Sequence, residues 1–203
     1  MSADSFLTVA RRHQQELKVN RSRFLATAIP VASRDAAEAA YQEVKREYYD
    51  ATHNCFAYRI GLGEQPDFRY SDDGEPSGTA GKPIYEAINH FGLTDVLIVV
   101  TRYFGGIKLG TGGLARAYRD SARAVLEAAE VIERIIEQSL RIHFAHEQTS
   151  VVMRLLAEFE LQPESTNYGD EVTIEVAVRL SLVEKFMDQM RDRSLGKVQV
   201  EAL

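Results

Sequence analysis

The sequence predicts an α+β protein of two domains, and three observations support this fold class. Segments with strand-like alternation and segments with helical spacing follow one another through 203 residues without an internal repeat. Beyond residue 131 the order becomes strand, helix, strand, strand, helix, strand, which is typical of a ferredoxin-like domain. The net charge changes in the same region, from +1 over residues 1–126 to −7 over residues 127–203. We therefore assign the first domain to residues 1–134 and the second to residues 135–203.

The first domain opens with a predicted β-hairpin and a helix. Residues 15–19 alternate in polarity, residues 22–31 have the pattern of a second strand, and a turn separates the two. Ser33 is a preferred N-cap residue, and apolar side chains recur at helical spacing from Asp35 to Tyr49. We expect this amphipathic helix to lie on the hairpin.

The middle of the first domain contains three predicted strands, a long polar loop and a helix. Strands are predicted at residues 52–60, around 68–70 and at 95–101, where the run DVLIVVT is typical of a strand buried on both faces. The loop SDDGEPSGTAGKP, residues 71–83, is too rich in glycine, proline and aspartate for regular structure. Pro83 suits the first turn of a helix that we expect to end near Phe91.

The last helix of the first domain has two chemically different sides. The helical pattern begins at Thr111 or Gly112, after the glycine-rich segment TRYFGGIKLGTGG. Leu114, Tyr118 and Val125 share one side, and three arginines share the other. The helix is therefore expected to pack on the sheet with its basic side in solvent.

The second domain contains the six elements of the ferredoxin-like order. Strands are predicted at residues 138–145, 161–167, 172–178 and 197–200, and helices at 147–159 and 182–193. The strand at 172–178 alternates most regularly, which favours one buried and one solvated face.

Composition predicts a cytoplasmic protein without membrane contact. No stretch approaches the roughly 18 to 20 apolar residues of a membrane-spanning helix, and the N-terminus lacks the pattern of a signal peptide. Cys55 is the only cysteine, so it forms no internal disulfide, and a zinc site built on several cysteines is excluded. The net charge of −6 argues against a broadly basic surface.

Neither glycine-rich segment matches a nucleotide-binding fingerprint in its proper context. A Walker A loop needs serine or threonine after its Gly-Lys pair, whereas GTAGKP has proline there. The segment GTGGLA, which begins at Gly110, matches the dinucleotide pattern at a helix start. However, seven residues separate it from the preceding strand, and the next predicted strand ends without an acid for a ribose hydroxyl.

The interpretation that we favour is an anion-binding helix start. Consecutive glycines leave backbone N–H groups exposed where the helix dipole favours an anion. Five basic residues lie between residues 101 and 123, against Asp120 as the one acid. We predict that phosphate or nucleic acid binds at Arg102, Lys108, Gly110, Thr111, Gly112, Gly113, Arg116, Arg119 and Arg123. The alternative is structural, with glycines that permit a sharp helix entry and arginines on a solvated face.

The SDDGEP loop supplies the second half of the predicted site. Both loops lead into helices of the same domain, so we expect them to border one cleft. Its candidate residues are Asp72, Asp73, Glu75, Ser77, Gly78, Thr79 and Lys82. The three acids also suit magnesium, although acids in such loops commonly form turns. We assign no catalytic residue, metal or cofactor, and His53 with Cys55 is a weaker candidate for a nucleophilic pair.

Four motifs resemble the YigZ/IMPACT family. They are SRF at residues 22–24, HNCFAYR at 53–59, SDDGEPSGTAGKPI at 71–84 and VVTRYFGGIKLGTGGLARAY at 99–118. The resemblance extends over essentially the whole chain. It implies a first domain similar to the second domain of a ribosomal small-subunit protein, to elongation factor G domain IV and to kinases of the galactokinase and homoserine kinase type. It also implies a ferredoxin-like second domain similar to elongation factor G domain V.

The resemblance implies a role in translation, while the residues predict binding rather than catalysis. Eukaryotic family members regulate translation initiation through a different N-terminal domain, so we do not expect their partner here. We predict a non-enzymatic protein that binds RNA, the ribosome or a translation-associated protein. The alternative is a magnesium-dependent phosphotransferase or hydrolase that acts on a small phosphorylated substrate. A third possibility is protein interaction through the acidic second domain.

Overall fold

The computed structural model describes residues 4–62 and 65–203, which form two compact units. The first unit is Phe6–Arg134, and the second is Ile135–Leu203 together with Asp4 and Ser5. Asp4 belongs to the second unit because its carboxylate accepts a hydrogen bond from Arg179 Nε at 2.6 Å and its carbonyl accepts the N–H of Ile136. The sequence analysis assigned this residue to the first domain.

A five-stranded antiparallel sheet forms the centre of the first unit. Its strands, in the spatial order β2-β3-β6-β4-β5, are β2 His13–Val19, β3 Ser22–Pro30, β4 His53–Ile60, β5 Asp67–Ser71 and β6 Val96–Tyr103. Register places Ala28 opposite Ile98 and Cys55 opposite Val100, so β6 lies between two long neighbours. Two further strands, β1 Ser5–Val9 and β7 Val131–Ile135, pair with each other. These two were not predicted from the sequence.

Helices cover both faces of this sheet. They are α1 Arg34–Glu47, α2 Gly81–His90 and α3 Gly110–Ala128. Ile98 and Val100 of β6 pack into the core under α2 and α3, whereas Leu97 and Val99 pack under α1. The prediction of a strand buried on both faces is confirmed. Helix α1 was expected to lie on the hairpin formed by β2 and β3. Its main contacts are instead with β6 and β4, although Ile29 of β3 packs against the same cluster.

Helix α3 has the two sides that the sequence predicts. Leu114, Tyr118 and Val125 are buried against the sheet and α2, and its three arginines are exposed. It begins at Gly110, one residue before Thr111, the earlier of the two predicted starts. Neither this helix nor any other in the described parts of the chain is long and apolar enough to cross a membrane.

The second unit is a ferredoxin-like sandwich, as predicted. Its elements are β8 Glu137–Phe144, α4 Thr149–Glu158, β9 Pro163–Tyr168, β10 Val172–Arg179, α5 Val183–Arg193 and β11 Gln199–Ala202. The strands form an antiparallel sheet in the order β11-β8-β10-β9. One face of the sheet buries Ile142 and Val176 together with Phe186 and Met190 of α5. The other face is polar, since Arg141 pairs with Glu175 at 2.8 Å.

Candidate functional site

Asp72 closes the SDDGEP loop upon itself. Its carboxylate accepts the backbone N–H groups of Gly78 at 2.8 Å, Ala80 at 2.9 Å and Gly81 at 2.8 Å. The last two bonds satisfy donors at the start of α2, so the carboxylate acts as a helix cap from outside the helix. Gly81 is required here, because a Cβ atom would lie 2.7 Å from the backbone nitrogen of Ser71.

Asp73 ties the same loop to strand β4. One carboxylate oxygen accepts the N–H of Asn54 at 2.7 Å, and the other accepts Lys45 Nζ at 3.2 Å. The carbonyl oxygen of Asp73 lies 2.8 Å from His53 Nδ1. A carbonyl oxygen only accepts, so Nδ1 carries the proton and His53 Nε2 is an acceptor in the neutral ring. Asp73 therefore fixes both the loop and the histidine tautomer.

Glu75 is buried at the centre of a polar cluster under the loop. Arg102 Nη1 donates to Glu75 Oε1 at 2.5 Å, and the Tyr118 hydroxyl donates to the same oxygen at 2.9 Å. Arg102 is only 5% exposed, and its guanidinium carbon lies 5.5 Å from the ring centroid of Phe24 and 5.4 Å from that of Phe104. The sequence analysis predicted that Arg102 binds an anionic ligand. Arg102 is instead neutralised by Glu75.

Cys55 is a core residue and not a nucleophile. The side chain is buried, its thiol donates to the carbonyl oxygen of Asp72 at 3.0 Å, and burial raises the pKa of the thiol well above its usual range. Burial likewise raises the pKa of the neighbouring Tyr118 hydroxyl. Both groups are therefore neutral at physiological pH, and the thiolate that nucleophilic chemistry needs does not form.

The acids of the loop have partners that compete with magnesium. Asp72 accepts three backbone N–H groups, Asp73 accepts a backbone N–H and a lysine, and Oε1 of Glu75 accepts an arginine and a tyrosine. Within residues 4–62 and 65–203, no group of three or more His, Cys, Asp or Glu side chains is placed to hold a metal ion. The predicted loop acids are thus engaged in holding the loop in place.

The other loop of the predicted site, residues 104–109, connects β6 to α3, and α3 begins without a side-chain cap. The N-cap residue is Leu109, whose side chain has no polar atom, and no side-chain bond caps this end. The N–H groups of Gly110, Thr111 and Gly112 consequently have no partner within the helix. Gly105 fixes the path of this loop, because a Cβ atom there would lie 2.1 Å from the carbonyl carbon of Arg21.

A cavity of about 410 Å³ opens between the two loops of the first unit. Its polar lining residues are Thr52, His53, Glu75, Arg102, Lys108 and Thr111, and its other lining residues are Pro76, Phe104, Leu109, Gly110 and Leu114. Both loops therefore contribute to one cleft, with the uncapped start of α3 on its border.

The predicted site residues divide into those that line the cavity and those that do not. Glu75, Arg102, Lys108, Gly110 and Thr111 line it. The remaining basic and glycine residues, Gly112, Gly113, Arg116, Arg119 and Arg123, continue along α3. The remaining residues of the first loop, Asp72, Asp73, Ser77, Gly78, Thr79 and Lys82, do not line the cavity. The sequence analysis did not assign Phe104 to the site, although an aromatic residue before a glycine-rich loop was the available signal.

The cations near α3 differ in their pairing. Arg119 lies 3.5 Å from Asp120, and Arg123 lies 3.6 Å from Glu127, but all four side chains are exposed and such pairs contribute little stability. Within the described residues, Lys108 forms no ion pair, and neither does Arg116. The two cations closest in sequence to the start of α3 are therefore the ones free to meet an anion.

Comparisons with known proteins match both units. The Impact N-terminal domain family matches residues 20–126, and a domain of unknown function, DUF1949, matches residues 142–197. The IMPACT family member YvyE of Bacillus subtilis is 34% identical over 197 residues, which is 97% of this chain and 90% of that protein. The IMPACT family member YigZ of Escherichia coli is 30% identical, with 92% of each chain covered.

A solved structure extends the likeness to the fold. It is the crystal structure of a hypothetical protein, with a TM-score of 0.73, 30% sequence identity and 98% of each chain covered. The family match spans more than half of the chain, and the relatives cover nearly all of it. By these matches, the chain belongs to the IMPACT family.

Proposed function

We propose that this protein is a non-enzymatic binding protein that holds RNA by its phosphate groups in the regulation of translation. The observation that carries the proposal is the start of α3, where three backbone N–H groups have no helical partner and Lys108 and Arg116 have no acidic partner among the described residues. A helix N-terminus with free N–H groups and adjacent cations favours a phosphate.

The arginine stripe extends this binding surface along the helix. Arg116, Arg119 and Arg123 are exposed and separated by three and four residues. At a rise of about 1.5 Å per residue they span about 10 Å, so one strand of nucleic acid can contact them in succession. The net charge of the whole chain is −6. An anionic ligand is therefore attracted to this local excess of positive charge and repelled by the acidic remainder of the surface.

Binding is favoured over catalysis by the state of the polar cluster. Its carboxylates already accept hydrogen bonds from protein donors, and Cys55 is neutral and buried. The alternative, a magnesium-dependent phosphotransferase or hydrolase, needs those carboxylates as metal ligands. The role in translation is inferred from the family, whose eukaryotic members act in its regulation.

The experiment is the salt dependence of RNA binding by a double variant. Arg116→Ala with Arg119→Ala is expected to weaken binding of a short single-stranded RNA and to reduce the slope of log K against log salt by about one for each phosphate group that the variant no longer binds. The matched control is Arg46→Ala with Arg154→Ala, two exposed helical arginines that remove the same charge elsewhere. An unchanged affinity and slope in the folded α3 variant contradicts the proposal.

A further inference from the structure

We infer that the cavity between the two loops receives one unstacked nucleotide, with its base against Phe104 and its phosphate at the start of α3. This inference rests on the proposed function and names the part of the ligand that enters the fold. The cavity volume of about 410 Å³ lies within the range of small-molecule sites, and its lining combines apolar surface with a few polar groups.

Phe104 provides a prepared surface for stacking. Its ring lines the cavity and is 46% exposed, while the buried guanidinium of Arg102 lies 5.4 Å from the ring centroid. The backbone N–H of Phe104 donates to Thr52 Oγ1 at 3.0 Å, which fixes the residue at the rim. A half-exposed aromatic ring held in this way is the usual platform for a nucleobase in single-stranded nucleic-acid binding.

The charges around the cavity give the ligand a direction. Glu75 uses only Oε1 for Arg102 and Tyr118, and Oε2 accepts no hydrogen bond from the described residues. Because Arg102 neutralises Glu75, Lys108 is the cavity-lining cation without an acidic partner in the described part of the chain, so the anionic end of the ligand belongs near Lys108 and Gly110. The ligand is therefore anionic at one end and neutral at the other.

The neutral end must donate hydrogen bonds. Glu75 Oε2 is an acceptor, and with Nδ1 directed at the carbonyl oxygen of Asp73 the neutral tautomer of His53 leaves Nε2 as a second acceptor. A base with an exocyclic amino group meets these acceptors. Uracil fits less well, because its one base N–H lies between two carbonyl oxygens. We therefore expect cytosine to be preferred over uracil.

Gly112 gives independent support for a phosphate at the helix start. Its φ is not in the left-handed region, and a Cβ atom there would meet only Arg116 Nη1, at 3.9 Å. Glycine inside a helix costs roughly 0.5 to 1 kcal/mol relative to alanine. The fold supplies no reason for glycine at this position, whereas close approach of a ligand to the backbone does.

The test compares 5′-phosphorylated C6 and U6 RNA, a duplex RNA, CMP and inorganic phosphate as ligands. The wild-type protein is expected to bind C6 at least about fivefold more tightly than U6. Phe104→Ala is expected to lower C6 affinity at least about fivefold, as removal of one stacking ring does, and to leave the duplex unaffected. Phe104→Tyr keeps the ring and should bind like wild type. The matched control is Ile107→Ala, an apolar residue of the same loop that is 42% exposed and does not line the cavity.

The outcomes separate this inference from the proposed function. If Phe104→Ala binds C6 as tightly as wild type while the double variant of Arg116 and Arg119 loses affinity, the nucleotide cavity is excluded and RNA binding stands. If C6 does not bind but CMP does, with the same decrease in Phe104→Ala, a free nucleotide is the ligand and the RNA function fails. If U6 binds as tightly as C6, or inorganic phosphate binds as tightly as CMP, recognition of the base is excluded.

Discussion

Glu75 and Arg102 form a buried ion pair that joins the SDDGEP loop to strand β6. Their atoms Oε1 and Nη1 are 2.5 Å apart, and the two residues are 8% and 5% exposed. Tyr118 of α3 donates to the same carboxylate oxygen. One carboxylate thus fixes the relative positions of the loop, the sheet and the helix that border the cavity.

Glu75→Ala is expected to lower the free energy of unfolding of the first unit by about 3 to 5 kcal/mol, because Arg102 is left as a buried charge without its partner. The double variant Glu75→Leu with Arg102→Met should cost clearly less than the sum of the two single changes. Urea unfolding followed by tyrosine fluorescence measures this, since Tyr168 is the one tyrosine outside the first unit. Additive costs would mean that the pair is not coupled.

The stability of the first unit is expected to fall at alkaline pH because of Cys55. Burial raises the pKa of this thiol in the folded state, whereas the unfolded thiol ionises near about 8.5. Its contribution is therefore complete below that value and is lost as pH rises, by up to about 1.4 kcal/mol per pH unit.

Urea unfolding by circular dichroism between pH 7 and 9.5 measures this slope. Cys55→Ala should give a flatter dependence, whatever its stability at pH 7. Burial also raises the pKa of Tyr118, but the unfolded phenol ionises only near about 10 and so contributes little in this range. Equal slopes in the two proteins would remove Cys55 as the cause.

Gly105, in the loop before α3, and Gly112, in the first turn of α3, are expected to respond oppositely to alanine. Gly105→Ala should destabilise the first unit by about 3 kcal/mol, at the upper end of the cost of overpacking, because its Cβ meets the backbone of Arg21. Gly112→Ala should leave stability equal or raise it by up to about 1 kcal/mol, yet weaken RNA binding. Thermal unfolding and the C6 titration measure the two effects. Wild-type RNA affinity in Gly112→Ala would place the phosphate elsewhere.

Asp4 is expected to stabilise the second unit although it lies at the other end of the sequence. It is 1% exposed and accepts hydrogen bonds from Arg179 and Ser181. Asp4→Ala should cost about 1.5 to 3 kcal/mol, the usual range for hydrogen bonds to a charged group. Amide hydrogen exchange in β8 and β10 measures the decrease in stability.

The control for Asp4 is Asp188→Ala, which breaks an ion pair with Arg191 at 2.6 Å between two exposed side chains. It should change stability by less than about 1 kcal/mol. If both variants slow or accelerate exchange to the same extent, Asp4 has no special role in the second unit.

Local patterns in the sequence predicted most of the elements and the exposure of the α3 arginines. The alternation in β10, the cap at Ser33 and the apolar run of β6 depend on neighbours within a few residues. Such periodicity fixes which side chains face inward. The same reasoning identified both loops of the cavity, because glycine and proline restrict the backbone locally.

Three features depended instead on contacts between residues distant in sequence. Arg102 looked like a surface cation, and its burial follows from Glu75, which lies 27 positions earlier in the chain. The face covered by α1 and the unit to which Asp4 belongs also depend on which partners the folded chain brings near. The periodicity of the sequence predicts whether a side chain is buried, and the sequence itself shows where a charge is present. The partner that neutralises the charge, and the cavity left between two loops, exist only after the sheet has brought those loops together.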